Sequence, residues 1–153
     1  MRDDYITWDE YFMELAKISA KRSKDKDKQV GACIVDINNK VISLGYNGMP
    51  YGMADNQFNW NDIVKWQFVV HAELNAILNA KQDLKGCRIY CTLRPCNECA
   101  KAIVQSGIDE VIYLEDFKPE AEYMLNASII LKQGRVKVRQ FGGIINENKN
   151  YYI

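Results

Sequence analysis

His71-Ala72-Glu73 and Pro95-Cys96-Asn97-Glu98-Cys99 carry residue types that can hold a transition metal and move protons beside it. Histidine nitrogen and cysteine sulfur are preferred ligands of zinc. His71 is the sole histidine of the chain. Taken alone, beside the apolar run that precedes it, it would more commonly serve a structural role. The second stretch changes that balance. Cys96 and Cys99 stand at i and i+3 after Pro95, a spacing that puts both sulfurs on one side of the first turn of a helix. Exposed N–H groups and the helix dipole there favour thiolates. His71, at the start of another helix, offers a third ligand. Three protein ligands leave the fourth tetrahedral position open, as in catalytic and not structural centres. Glu73 is placed to take a proton from a water and return it to a substrate. A CxxC pair alone also occurs in redox and closed zinc sites, so the specificity lies in the joined pattern.

These residues need elements to position them. Thr7 and Glu10 form a capping box ahead of apolar Tyr11, Phe12, Leu15 and Ile18, which predicts a helix from about Trp8 to Arg22. SKDKDK (23–28) reads as a polar break with mostly solvated charges. QVGACIVDI and KVISLGY, rich in β-branched residues, predict a hairpin about Asn38-Asn39. GYNGMPYGMADN is dense in turn formers, and residues 57–70 are left mostly unassigned. A helix over His71 to about Ala80 follows, then a strand (87–93), a helix stopped by Gly107, and a strand at EVIYL. A further helix ends at Gly134, and VKVRQF is the last strand. Alternating strands and helices predict an α/β fold with right-handed crossovers and helices on both faces of the sheet. No repeat or linker divides the 153 residues, so one domain is expected over 1–153, with its core at about 8–140 and the tail 141–153 unassigned.

Composition narrows the function classes. Lysine plus arginine equal aspartate plus glutamate at 20 each, so no basic surplus points to a nucleic-acid backbone. No apolar run is long enough to span a bilayer, and the acidic, amphipathic start does not read as a secretory signal. A cytoplasmic protein acting on a small molecule is expected, with neither nucleic acid nor membrane as a partner. In that compartment five cysteines imply metal binding or burial, not a disulfide framework.

The pattern His-x-Glu then Pro-Cys-x-x-Cys is similar to the signature of zinc-dependent nucleobase deaminases. With it, RSKDKDKQVGACIV (22–35), GYNGMPYG (45–52), HAELNAI (71–77) and PCNECAKAI (95–103) resemble the deoxycytidylate (dCMP) deaminases, over about Trp8 to Gln140. The resemblance implies a three-layer α/β/α cytidine-deaminase-like fold with a five-stranded mixed sheet. It implies hydrolysis of dCMP to dUMP and ammonia, with His71, Cys96 and Cys99 holding Zn²⁺ and Glu73 carrying protons. A homo-oligomer, a hexamer by family habit, and a role in supplying dUMP for thymidylate synthesis belong to the same implication. Some relatives hold a second, structural zinc through an additional histidine; with His71 alone, one zinc per chain is expected.

Finer contacts follow from the same resemblance. Asn47 corresponds to a sugar-binding asparagine, although locally it reads equally as an Asn-Gly turn. Val30, Gly31 and Ala32 match a segment lining the base pocket, a role that local sequence does not separate from strand packing. Arg22, Lys24 and Lys118 fall where basic contacts to a 5′-phosphate occur. Arg94 departs from the aromatic, small or acidic residues of familiar relatives and could reach substrate. Asn47, Gly48 and Asp55 fall in a regulatory region through which dCTP, with Mg²⁺, activates and dTTP inhibits. A dCTP or dual dCMP/dCTP deaminase is the nearest alternative. A catalytically idle zinc or nucleotide-binding module is another, against which Glu73 argues.

Overall fold

The computed structural model describes residues 1–57, 60 and 65–142. Helix α1 spans Trp8–Ala20. Its start is the expected capping box: the Glu10 amide donates to Thr7 Oγ1 at 3.2 Å, and the Thr7 amide donates to Glu10 Oε2 at 2.7 Å. It ends before Arg22 because the Arg22 and Ser23 amides donate back to the Ser19 and Ala20 carbonyls, at 2.9 and 3.0 Å.

Strands β1 (Gly31–Val35) and β2 (Val41–Tyr46) pair antiparallel. In their turn the Asp36 carboxylate accepts the Asn38 and Lys40 amides at 2.8 and 2.9 Å. Asn39 adopts φ 60, a left-handed conformation that asparagine tolerates. Then follow α2 (Ala72–Asn79), β3 (Arg88–Leu93), α3 (Asn97–Gln105), β4 (Glu110–Glu115), α4 (Glu122–Gln133) and β5 (Lys137–Gln140). The sheet order is β2-β1-β3-β4-β5. β1 is antiparallel to both neighbours, whereas β3, β4 and β5 run parallel, so the five-stranded sheet is mixed. Residues 143–153, most of the unassigned tail, lie outside the described residues, as do 58, 59 and 61–64 of the unassigned stretch before His71.

Three layers result. On one face α1 lays Phe12, Met13 and Ala16 against Cys33, Val35, Tyr90 and Ile112. On the other, α2, α3 and α4 lay Ala72, Ala76, Ile103, Ala127 and Leu131 against Ile34, Ile89, Cys91 and Val111. All of β1 is buried, which explains its unbroken apolar run. Cys33, Cys87 and Cys91 sit in this core as small apolar side chains. Among the described residues no helix is long and apolar enough to cross a membrane.

Two glycines set how closely the helices approach the sheet. A Cβ on Gly31 would lie 1.9 Å from the Ala16 carbonyl oxygen, and one on Gly45 would lie 2.2 Å from that of Ala72. α1 and α2 therefore rest directly on strand backbone.

One charged network ties α1 to the sheet. Asp9 of α1 receives both Nη atoms of Arg139 (β5) at 2.6 and 2.9 Å and the Tyr90 hydroxyl (β3) at 2.7 Å. Arg139 Nε reaches Glu110 (β4) at 2.8 Å. Burial works to raise the Asp9 pKa, but the bonds from Arg139 and Tyr90 outweigh it and hold the carboxyl below its ordinary 3.8. With the folded value below the unfolded one, this contribution is complete above the unfolded pKa. It is lost as pH falls through the folded one. Denaturant melts at descending pH are expected to show the native protein losing stability from about pH 4 downward. Asp9→Asn should be less stable at neutral pH and decline less steeply over that range; an unchanged acid slope would contradict this role.

Candidate active site

The chain delivers its metal-ligand residue types to two helix starts. Strand β3 ends at Leu93, and Arg94 and Pro95 lead to Cys96, the N-cap of α3. Pro95 thus precedes the cap and does not occupy the helix's first turn. Cys99 follows within that turn. His71 is the N-cap of α2, one position outside the helix expected to include it, and Glu73 lies in the first turn. The approach to His71 is fixed by mutual bonds between Gly48 and Val70, whose amides reach each other's carbonyls at 3.1 and 2.8 Å.

These starts converge. His71 Nδ1 lies 3.4 Å from Cys96 Sγ and 3.5 Å from Cys99 Sγ. All three donor atoms fall within 4.8 Å of one another. Ligands at ordinary Zn–N and Zn–S distances on tetrahedral corners sit about 3.6 Å apart, so the spacing fits a zinc ion. The protonation pattern fits it too. The hydrogen bond from Cys99, with help from His71, brings Cys96 down to about 4 against its burial. Cys96 in turn draws His71 up to about 9, and Cys96 and burial together push Cys99 upward. Two sulfurs compete for one proton, a conflict that a dication resolves by stabilising both thiolates. Glu73 is 4% exposed, and burial raises its pKa against the opposing pull of His71.

A cavity of about 710 Å³ opens on this cluster. His71, Glu73 and Cys96 line it, and Trp66, Phe117 and Tyr123 supply aromatic lining. Val30 and Asn47 also line it. The Asn47 side chain is 6% exposed and tied to backbone: Oδ1 accepts the Val30 amide at 2.8 Å and Nδ2 donates to the Lys28 carbonyl at 2.9 Å. It braces the loop leading into β1 as a wall of the cavity.

The matched family model, the cytidine and deoxycytidylate deaminase zinc-binding region, covers residues 6–115. The chain belongs to this deaminase family. It is 47% identical over 147 residues to the deoxycytidylate deaminase of Homo sapiens, across 92% of this chain and 83% of that protein. It is 50% identical over 127 residues to a probable deoxycytidylate deaminase of Drosophila melanogaster, across 75% and 63%. Its fold is similar to the crystal structure of dCMP deaminase from cyanophage S-TIM5 in complex with dCMP and dUMP. There the TM-score is 0.72, with 26% identity over 92% of this chain and 99% of that one.

Within this family member, several residues expected at the site stand elsewhere. Ala32 is wholly buried beneath the helices and does not line the cavity. Arg22 lies over the Tyr46 ring at 5.8 Å, Lys24 pairs with Asp55, and Lys118 sits 5.2 Å from the Phe117 ring; none of the three cations lines the cavity. Arg94 does line it, but its Nη atoms are held by Asp116 at 3.0 Å and Ser128 at 2.5 Å, and it is 8% exposed. Its buried Nε has no hydrogen-bond partner among the described residues. The guanidinium therefore joins the ligand turn to the β4–α4 loop and to α4.

Sequence reasoning missed Asp25, Lys28 and Lys65, all lining the cavity. Asp25, within a run read as mostly solvated, is 5% exposed and accepts the amides of Asp27 and Lys28 at 2.9 and 3.3 Å and Lys65 Nζ at 2.8 Å. Burial raises its pKa, yet Lys65 and those amides leave it lowered. The available signal was adjacency: Lys28 lies two residues before Val30, and Lys65 lies in the unassigned stretch ahead of His71.

Proposed function

We propose that this chain hydrolyses dCMP to dUMP and ammonia. The observation that carries the reading is the convergence of His71, Cys96 and Cys99 at zinc-ligand spacing, with buried Glu73 lining the same cavity. Relatives named deoxycytidylate deaminase at 47–48% identity support it, as does the similar phage enzyme seen with dCMP and dUMP.

In this reading His71, Cys96 and Cys99 hold one zinc per chain. Bound there, the ion supplies Lewis acidity, which makes a water nucleophilic near neutral pH. With the ion in place, Glu73 would take a proton from the attacking water as the water's oxygen bonds to C4 of the cytosine. It passes a proton to N3, and a further proton transfer through the same carboxyl lets the C4–N bond break and ammonia leave. Burial keeps the carboxyl out of competition with solvent. Asn47 faces the sugar while its bonds to Val30 and Lys28 hold the pocket wall, and the aromatic side chains limit water around the base.

The reading extends to the whole chain as one domain over 1–153, acting in the cytoplasm as a homo-oligomer, a hexamer by resemblance. Exposed Tyr51, Trp66 and Leu78 offer apolar surface for such an assembly. It further includes activation by dCTP with Mg²⁺ and inhibition by dTTP through the loop holding Asn47, Gly48 and Asp55, and supply of dUMP for thymidylate synthesis. The test is ammonia release by zinc-loaded protein from dCMP, dCTP, deoxycytidine and CMP, with dCMP repeated in the presence of dCTP–Mg²⁺ and of dTTP. dCMP is expected to lead and to respond to both effectors. Comparable turnover of dCTP would establish the dual-substrate enzyme instead; no turnover of any of them with zinc bound would overturn the substrate or the activity, and nucleotide binding without ammonia release would favour an idle module.

A further inference from the structure

Among the described residues, the lysine and arginine side chains that line the cavity are Lys28, Lys65 and Arg94. Two of them are already neutralised. Lys65 Nζ lies 2.8 Å from Asp25 and also pairs with Asp27. Arg94 pairs with Asp116 and donates to Ser128. Lys28 differs from both. It is exposed, has no ion-pair partner among the described residues, and rests its ammonium 4.1 Å from the centre of the Phe117 ring.

Its backbone is held, while its side chain is exposed. The Lys28 amide donates to Asp25 and its carbonyl accepts from Asn47, so the Cα is fixed in the cavity wall. Beyond that point a flexible stem carries one uncompensated charge. An exposed lysine gains little from an aromatic face compared with what an ammonium gains from a phosphate dianion. Asp25 and Glu98 also line the cavity, so further negative charge on a ligand would meet carboxylates.

We propose that Lys28 is the specificity residue that selects a nucleoside 5′-monophosphate over the unphosphorylated nucleoside, its ammonium leaving the Phe117 ring to pair with the phosphate. This rests on the reading of the cavity as a cytosine-nucleotide site and names its phosphate partner. Lys28 takes the place that sequence resemblance gave to Arg22, Lys24 and Lys118. The phosphate of the bound nucleotide then lies between the loop before β1 and the β4–α4 loop, bridging two segments that the Lys28–Phe117 contact already joins.

The test is calorimetric binding of dUMP and of deoxyuridine to the zinc-loaded full chain, which needs no turnover. The proteins compared are the native one, Lys28→Met, Lys28→Arg and, as a control on the same loop, Lys26→Met. Native protein should prefer dUMP. Lys28→Met should lower that preference by about tenfold or more, while Lys28→Arg keeps most of it and Lys26→Met all of it. A preference in Lys28→Met within about twofold of native, or native protein that binds dUMP no tighter than deoxyuridine, would overturn the proposal. If dUMP binding depends on Lys28 but dCMP releases no ammonia, the proposed activity falls and the phosphate role of Lys28 stands.

Discussion

With Glu73 replaced by glutamine, the protein is expected to bind zinc as before and to lose dCMP turnover by about 10²- to 10⁴-fold or more. The substitution nearly preserves shape and leaves His71, Cys96 and Cys99 untouched, so the ligand cluster should persist. What disappears is the ability to take up and release a proton at one buried position, 4% exposed and lining the cavity beside the ligands. In the proposed reaction that carboxyl serves water, ring nitrogen and leaving amine in turn, and an amide serves none of them. Ammonia release at saturating dCMP, with zinc content measured on the same sample, separates the outcomes. A metal-replete, fully active Glu73→Gln protein would remove Glu73 from the chemistry. Loss of zinc together with activity would make it a support for the ligands instead.

The second large effect is expected from a residue with no side chain. Gly45→Ala should cost about 3 kcal/mol or more, at the upper end of what overpacking does. In β2 a Cβ at this position would meet the Ala72 carbonyl oxygen at 2.2 Å, the Ala76 amide nitrogen at 2.5 Å and the Ala76 Cβ at 2.9 Å. These neighbours are largely backbone, so no rotamer change relieves the clash; α2 must lift as a body. Because His71 is the N-cap of α2 and Glu73 lies in its first turn, the displacement carries both with it, and misplacement by about 1 Å can cost a hundredfold in rate. Thermal melts should show a fall of roughly 6–12 °C, and zinc should bind more weakly. Native-like melting with full zinc affinity would show that α2 does not rest on β2 as closely as described.

Much of this architecture was legible because its signals are local. The Thr7–Glu10 box announces α1, the Asn38-Asn39 pair announces the hairpin, and apolar runs bounded by Gly107 and Gly134 mark the parallel half of the sheet. The helix after His71 was also visible, but its first residue was not: a cap and a first helical residue differ in backbone angles that residue type alone does not encode. Asp25 was hidden for a different reason. Alternating charges in SKDKDK look alike in sequence; Lys65, brought close by folding, pairs with both Asp25 and Asp27, and burial singles out Asp25. Lys28 and Phe117 meet across two loops distant in sequence, so neither could be paired from its neighbours. Arg94 was noticed as unusual, yet its partners Asp116 and Ser128 come from the β4–α4 loop and α4, which decide that its charge turns towards them.

The two ligand helices share a deficit. His71 and Cys96 occupy N-cap positions, and neither side chain bonds to an amide of its own helix. Serine, threonine, aspartate or asparagine would ordinarily stand there, and lacking one costs about 1 kcal/mol at each helix start. A serine or aspartate at either position would restore about 1 kcal/mol to the helix start of the metal-free protein but would remove a zinc ligand, and with it the stabilisation that a bound ion adds to the folded state. A screen for melting temperature therefore gives opposite answers with and without zinc: stripped of metal it is drawn towards dismantling this active site, and loaded with metal it defends the two positions where helix stability and function ask for different atoms.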